Sequence, residues 1–376
     1  MKFIVVQIGD ILKCPPTLSV IQCLNDLGHS VVVCATKSDD LKRHFGNIKN
    51  VKFEFVEDSY STNVNIIRKF TRMFSIRKQL WKIIDANYDE DTVLWVVSEV
   101  GVKHLGPKLL KKRYILHMFE LLEGMYYISG NPILKLDHEL YAKNALALVE
   151  AEYNRAHITK AWWHLDKLPF VLPNKPYVSI PIEKNAEITS SEELKKLMKS
   201  LEGRKIILYQ GNISKERPLD KFIKAVGELG NEYAFVMMLN GENPYPDLHT
   251  DNSYFVPFVP PPYHLEVTSR AFIGILSYVP IKNSYSILNT LYCAPNKIWE
   301  YSKFGVPMIS NDLPALSYQY AVYNNGLCVD INDVESIKSG IMKISENYSE
   351  YSQNSLNFFD SVDIKEIISK IINSVK

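Results

Sequence analysis

The chain has 376 residues, of which 46% are hydrophobic and 23% charged, a composition typical of a soluble globular protein of about two domains. Its 43 Lys and Arg nearly balance its 42 Asp and Glu, which argues against a nucleic-acid-binding protein held by phosphate neutralisation. The five cysteines are not spaced as metal ligands are, so the sequence predicts no metal site. Their thiols are expected to be reduced. The sequence contains no run of about 18 apolar residues, so it predicts no membrane-spanning segment. We therefore expect a cytoplasmic protein.

Short apolar runs alternate with amphipathic stretches in the first half, which is the pattern of βαβ units. A helix is predicted over 17–27. The predicted strands cover 2–6, 30–35, 51–56, 92–97, 114–117, 145–149 and 157–159. Because strands such as 93–97 are apolar on both faces, they suit a parallel sheet that helices cover on both sides.

A second series of the same kind begins near residue 204. Strands are predicted over 205–210, 233–239, 253–258, 272–276 and 308–310, and helices over 190–200, 220–229, 295–304 and 364–375. The proline-containing stretch 169–201 is interpreted as a linker that leads into a second domain. The sequence thus predicts an α/β protein of two doubly wound domains, 1–175 and 176–360, facing across a cleft, with a last helix (361–376) able to pack back on the first.

The segment 294–310, APNKIWEYSKFGVPMIS, carries the residues of an anion site at the start of a helix. Pro295 suits a first helical turn, where Asn296 and Lys297 offer amides and a positive charge to a diphosphate. Glu300 follows one turn later and can accept hydrogen bonds from both hydroxyls of a ribose. The alternative is an ordinary amphipathic helix with an unrelated lysine and glutamate.

A second polar segment, 209–219, ends the first strand of the second series. Gly211 lets the backbone turn close to a ligand, and Asn212 and Lys215 follow it. Arg217 offers a planar fork to phosphate oxygens. A lone arginine that covers a surface helix is the alternative.

These two segments, in this order, resemble the donor-binding motifs of GT-B fold glycosyltransferases, in particular the family 4 type. The resemblance implies that Glu300 binds the ribose, that Lys297 lies near the diphosphate and that Arg217 steadies the departing nucleoside diphosphate. Gly241 matches the family's glycine-rich turn, and Phe258 lies in a loop resembling the one that meets the base. The resemblance at the motif level covers most of residues 204–330.

On the acceptor side, the resemblance extends to an order of strands and turns. Gly9 ends the first strand, where backbone amides could face the donor phosphate, although a plain loop fits equally well. His117 and Glu120 follow an apolar strand at the place where many family members carry a His/Glu pair that touches the sugar or the acceptor. A histidine there can pass a proton at neutral pH, the alternative being a satisfied histidine at the sheet edge. Glu99 is a lesser candidate for acceptor contact.

Two positions depart from the family pattern. Tyr292 stands eight positions before Glu300, where an acid is common, and Pro218 replaces the glycine that follows the phosphate-binding arginine. The missing acid at position 292 removes the basis for predicting which sugar is carried.

The stretch 65–84 holds six Lys or Arg and no acid, with apolar residues at helical spacing. Such a helix can lie on an anionic membrane that presents a lipid-linked acceptor. The alternative is a helix packed on the sheet with a solvated basic face.

The expected reaction transfers a hexosyl unit from a nucleoside-diphosphate sugar, with UDP as the nucleotide, to a hydroxyl of a saccharide or lipid-linked saccharide. The resemblance implies a retaining reaction, and we expect no metal or other cofactor. The expected catalytic residues are His117, Glu120, Arg217 and Lys297. By analogy with the family, the role is bacterial surface-polysaccharide or glycoconjugate assembly, in the cytoplasm or at the inner face of the membrane. A nucleotide-sugar 2-epimerase or hydrolase of the same fold, and a non-catalytic partner subunit, remain as alternatives.

Overall fold

A computed structural model describes residues 1–36, 48–58, 66–127, 134–177, 182–248, 250–281 and 286–376. By internal contacts the chain divides into two units. The first comprises Met1–Ser179, Asn283–Asn289 and Ile364–Lys376, and the second comprises Ile180–Lys282 and Thr290–Asp363.

The first unit is built on a parallel sheet. Its described strands are β1 (Lys2–Val6), β2 (Ser30–Thr36), β3 (Val51–Val56), β4 (Thr92–Val97), β5 (Tyr114–His117), β6 (Met125–Tyr126), β7 (Lys135–Leu136), β8 (Ala147–Glu150) and β9 (Phe170–Val171). The sheet order is β3-β2-β1-β4-β5-β8-β9, and β6 pairs with β7 in a separate antiparallel ribbon. Lys2 of the central strand β1 pairs with Ser30 on one side and Thr92 on the other. The carboxyl ends of these strands therefore meet at one edge.

The second unit carries another parallel sheet. Its described strands are β10 (Lys205–Gly211), β11 (Tyr233–Leu239), β12 (Ser253–Pro257), β13 (Ile273–Leu276), β14 (Met308–Ser310) and β15 (Gly326–Cys328). The order β12-β11-β10-β13-β14-β15 puts β10 beside β13, so the direction of winding reverses there. Ligands of doubly wound sheets bind at such a switch point, beyond the carboxyl ends of the strands.

Helices connect the strands in both units. In chain order the described helices are α1 (Pro15–Asp26), α2 (Ile66–Asn87), α3 (Ser98–Leu105), α4 (His138–Asn144), α5 (Tyr153–Trp162), α6 (Glu192–Ser200), α7 (Asp220–Glu228), α8 (His264–Thr268), α9 (Ile287–Leu291), α10 (Asn296–Ser302), α11 (Pro314–Tyr323), α12 (Val334–Glu346), α13 (Tyr348–Asp360) and α14 (Ile364–Ser374). Short 3-10 turns cover Ile11–Lys13 and Gly106–Lys111.

The second sheet is buried on both faces, because successive side chains of one strand enter opposite layers. Ile207 of β10 packs in one apolar cluster with Phe222 of α7, whereas its neighbour Leu208 packs in another with Tyr301 of α10. The apolar runs of the central strands thus fix which helices cover them.

The predicted α/β class with parallel sheets is confirmed. The strand predicted over 157–159 is wrong, because these residues lie inside α5. The Glu152 side chain accepts a hydrogen bond from the Arg155 amide at 2.9 Å and so caps this helix at its start. The stretch predicted as a linker contains the edge strand β9, which pairs with Glu150 through Val171.

Candidate functional site

The candidate site in the second unit begins at the carboxyl end of β10. Gly211 ends this strand with a φ of +117°, a conformation that strains any residue with a side chain. A Cβ at this position would lie 3.0 Å from Cε of Lys297, so the glycine also makes room for that lysine.

Helix α10 is held close to the sheet by one aromatic residue. Tyr301 is fully buried, and its hydroxyl donates to the Leu208 carbonyl oxygen at 2.9 Å. Its ring lies against Gly274 of β13, where an added Cβ would be 2.3 Å from Tyr301 Cδ2. This packing fixes the helix that carries Lys297 and Glu300.

Lys297 is a buried lysine, and no described residue forms an ion pair with its amine. Its side chain lies among aromatic rings, with Nζ 4.2 Å from the centroid of Tyr209 and 5.5 Å from that of Tyr278. Among the described residues Nζ finds no hydrogen-bond partner. Burial, and then the nearby charge of Arg217, lower the pKa of Lys297 well below its ordinary value. A phosphate oxygen at this amine would provide both the hydrogen bond and the counter-charge.

Arg217 lies on the loop that follows β10. Its Cζ is 5.3 Å from the centroid of Tyr278, and its Nη1 is 3.5 Å from the Asn212 carbonyl oxygen. Arg217 and Lys297 therefore share one aromatic ring and repel each other. An anion placed between them would relieve this repulsion.

Glu300 is buried, and its two oxygens contact different protein donors. Oε2 accepts a hydrogen bond from Gln210 Nε2 at 2.5 Å, and Oε1 lies 3.1 Å from His264 Nε2. Burial acts to raise the pKa of Glu300, but the contacts with His264 and Gln210 and the charge of Lys297 outweigh burial, so this pKa is lowered. The carboxyl group is therefore ionised at neutral pH and accepts hydrogen bonds only.

The other predicted donor-side residues surround this centre. Asn212 and Lys215 are exposed, and Asn212 Oδ1 accepts a hydrogen bond from Asn240 Nδ2 at 3.0 Å. Gly241 has a φ of +120° after β11, and Phe258 after β12 is 40% exposed.

The start of helix α10 differs from the predicted one. Pro295 has extended backbone angles and precedes the helix, so Asn296, rather than Pro295, is the first helical residue.

In the first unit, Gly9 follows β1 with a φ of +111°, and its carbonyl oxygen accepts a hydrogen bond from Thr36 Oγ1. His117 ends β5 and is only 1% exposed. Its Nδ1 accepts a hydrogen bond from Trp95 Nε1 at 3.2 Å, so Nε2 carries the hydrogen of the neutral ring. Burial lowers the pKa of His117 to about 3. This environment does not favour the predicted proton-carrying role at neutral pH.

Glu120 lies beyond the same strand. Its Oε2 accepts a hydrogen bond from Asn289 Nδ2 at 2.7 Å, and Asn289 Oδ1 accepts one from the Leu121 amide at 2.8 Å. Glu99 lies in the first turn of α3, and burial raises its pKa. The acceptor roles of both residues stay predictions.

Sequence reasoning missed two buried polar residues in this part of the first unit. Arg155 donates to the carbonyl oxygens of Phe119 and Asn289 at 2.8 and 2.9 Å. Glu150 ends β8, where Thr159 Oγ1 donates to it at 2.7 Å, and burial raises its pKa to about 7. The signal for Glu150 was available, since this acid directly follows the apolar run predicted as a strand over 145–149.

The comparisons with known proteins agree on the fold. No family model and no curated protein sequence matches the chain. Among solved structures, Anabaena HepE in complex with UDP-glucose aligns with 100% of this chain and 99% of its own at 12% identity and a TM-score of 0.67. A glycosyltransferase from Rickettsia africae aligns with 100% of this chain and 97% of its own at 13% identity and a TM-score of 0.63.

A third structure, assigned as a UDP-N-acetylglucosamine 2-epimerase from Listeria monocytogenes, aligns with 94% of this chain and 90% of its own at 11% identity and a TM-score of 0.63. Likeness at such low identity shows the fold, which is that of the GT-B glycosyltransferases. Within the described ranges, no helix has both the length and the hydropathy needed to cross a bilayer.

Proposed function

We propose that the protein is a glycosyltransferase that moves a hexosyl unit from a UDP-sugar to a hydroxyl of a saccharide or lipid-linked saccharide. The observation that carries this proposal is the buried amine of Lys297, which has no hydrogen-bond partner among the described residues and lies beside Gly211. An ionised Glu300 lies one turn further along the same helix. Lys297 and Glu300, one helical turn apart, are suited to bind the diphosphate and the ribose, respectively, of one nucleotide.

Breaking the bond between the sugar and the diphosphate leaves negative charge on the diphosphate. Lys297 and Arg217 stabilise this charge, which lowers the barrier to departure of the nucleotide. Because two side chains supply the positive charge, the reaction requires no metal ion and no further cofactor. The acceptor hydroxyl attacks from the face that the diphosphate leaves, and the reaction retains the anomeric configuration.

The choice of UDP rests on the complexes of the structural neighbour HepE, which contain UDP and UDP-glucose. These residues do not specify the transferred sugar, because Tyr292 stands where an acid is common in family 4 glycosyltransferases.

The acceptor proposal extends to the membrane surface. Helix α2 exposes Ile67 and Phe74, which are 68% and 55% accessible, together with Lys78 and Lys82. In the proposed function this face contacts the inner leaflet, where a lipid-linked saccharide is presented. Such an acceptor fits the assembly of surface polysaccharide or glycoconjugates.

The test is a panel of nucleotide sugars, assayed for binding and for turnover with and without saccharide acceptors. We expect a UDP-sugar to bind and be turned over, with activity unchanged by a metal chelator. Lys297→Met, Arg217→Ala and Glu300→Ala should each lower kcat/KM by about 10²–10³-fold. The exposed residues Lys224 and Glu346 provide matched controls, because Lys224→Ala and Glu346→Ala leave the site intact. Undiminished transfer by the three site variants would contradict the assignment.

The epimerase alternative is supported by the Listeria neighbour. Incubating the protein with the donor sugar alone separates the two functions, because an epimerase forms the epimer without any acceptor. Absence of nucleotide binding in calorimetry would instead favour a non-catalytic subunit.

A further inference from the structure

The carboxyl group of Glu300 is held from two sides by residues outside its own helix. Gln210 belongs to β10 and donates to Oε2 at 2.5 Å, whereas His264 begins α8 and lies with Nε2 3.1 Å from Oε1. Gln210 is itself fixed, because its Oε1 accepts a hydrogen bond from Thr268 Oγ1 at 2.7 Å. Three elements thus determine the plane of one carboxylate.

This arrangement leaves acceptor capacity on both oxygens. An ionised carboxylate has about four lone-pair positions, and the two protein donors occupy two of them. One position on each oxygen therefore remains for a ligand. A pair of neighbouring hydroxyl groups, each donating to one oxygen, is the complementary chemistry.

Fixing the carboxylate before the ligand arrives has an energetic consequence. A free glutamate side chain would lose rotamer freedom on binding, whereas one held by two donors has already lost it. Two hydroxyl groups on adjacent carbons also need the carboxylate plane at one angle, and a single donor would leave that plane free to rotate.

We propose that His264 and Gln210 are positioning residues that orient Glu300 toward the vicinal 2′ and 3′ hydroxyl groups of the nucleotide. This inference rests on the proposed function, in which Glu300 binds the ribose. The consequence is that His264 and Gln210 set how strongly the protein prefers a nucleotide with both hydroxyls over one without them, although neither touches the nucleotide.

The test compares binding of UDP and of 2′,3′-dideoxy-UDP by calorimetry. The unmodified protein should bind UDP at least about tenfold more tightly than the dideoxy nucleotide, because hydrogen bonds to a charged group are lost. His264→Leu should weaken UDP binding about tenfold and leave dideoxy-UDP binding within about twofold, so that the preference disappears.

His264→Gln is the conservative variant, because its amide nitrogen still donates, and it should keep most of the preference. Gln210→Leu should act like His264→Leu. The exposed His157 gives the matched control His157→Leu, which should change neither affinity.

A His264→Leu protein that loses affinity for both nucleotides equally, or for neither, overturns the inference while the proposed function stands. The same holds if His264→Gln loses the preference as fully as His264→Leu. An unmodified protein that binds neither nucleotide overturns the proposed function and the inference together.

Discussion

The buried amine of Lys297 is costly for the folded protein. Its side chain is 7% exposed, and Nζ finds no hydrogen-bond partner among the described residues. Contact with the faces of Tyr209 and Tyr278 offsets part of this cost, since aromatic rings attract cations. A residue that destabilises its own fold is expected where a ligand provides the missing interaction.

Replacing Lys297 with methionine should therefore stabilise the protein while weakening UDP binding. Lys297→Met keeps the length of the side chain and removes the unpaired amine, so we expect the free energy of unfolding to rise by about 1–3 kcal/mol at pH 7. Urea denaturation measures this change, and Lys224→Met at an exposed position should leave it unaltered.

The stability that Lys297→Met adds should decrease as pH rises. The pKa of Lys297 is lowered in the folded protein, so between that lowered value and the ordinary lysine range the unfolded chain binds more protons than the folded one. Stability of the unmodified protein consequently rises with pH across this window, and the advantage of the methionine variant shrinks. An advantage that grows with pH would contradict the lowered pKa.

Individual site residues differ in how far the sequence reveals them. Lys297, Glu300 and Arg217 stand in short motifs whose spacing indicates phosphate and ribose chemistry. Gln210 and His264 are 90 and 36 positions from Glu300, and only the packing of β10 and α8 brings them together. No local pattern marks such pairs, so these contacts required the structure.

Strands and helices were predictable where their own residues determine them. Strands β1, β3, β4, β5, β11 and β14 have the predicted bounds, because all are rich in β-branched, aromatic or long aliphatic residues, which in β3 alternate with Lys52 and Glu54. The short strand β15 was missed because it depends on tertiary packing. Gly326 pairs with Met308, and a Cβ at Gly326 would lie 2.6 Å from the Met308 carbonyl oxygen.

Helix α2 is amphipathic, with one side packed against the protein and the other side exposed. Its buried side contains Leu80 and Trp81, and Trp81 Nε1 donates to the Leu105 carbonyl oxygen at 2.9 Å. The interpretation of this stretch as a helix packed against the rest of the first unit is thus confirmed for its buried side. Two of its arginines bind the protein itself, because Arg72 pairs with Asp58 and Arg77 donates to backbone carbonyls.

The exposed side of α2 yields a prediction for membrane association. The protein should bind vesicles that contain anionic phospholipid and not purely zwitterionic ones, and binding should fall as salt rises. Replacing both Lys78 and Lys82 with alanine should weaken binding about 30-fold, at about 1 kcal/mol for each lysine near the surface.

Vesicle co-sedimentation measures the effect, and Phe74→Ser should also weaken binding by removing the apolar contact. Tyr318→Ser removes an aromatic residue of similar exposure from another helix and should change nothing. Equal binding to both vesicle types would rule out the membrane role of α2.

For the whole molecule, each of the two units has its own sheet and its own apolar core. The candidate nucleotide contacts Gly211, Arg217, Lys297 and Glu300 all belong to the second unit. A ligand that binds the native state stabilises the part of the structure that contacts it, by about 2.7 kcal/mol at a concentration of 100 times Kd.

Hydrogen exchange with and without UDP should therefore show where the nucleotide binds. We expect slower exchange in the segments 205–217, 264–270 and 296–304, because β10, α8 and α10 together hold Lys297 and Glu300. The effect should be clearly smaller in Glu300→Ala at the same UDP concentration, because weaker binding stabilises the native state less. Slowing confined to β1 and β2 would instead place the nucleotide in the first unit, since a ligand protects the amides of the elements that its binding stabilises.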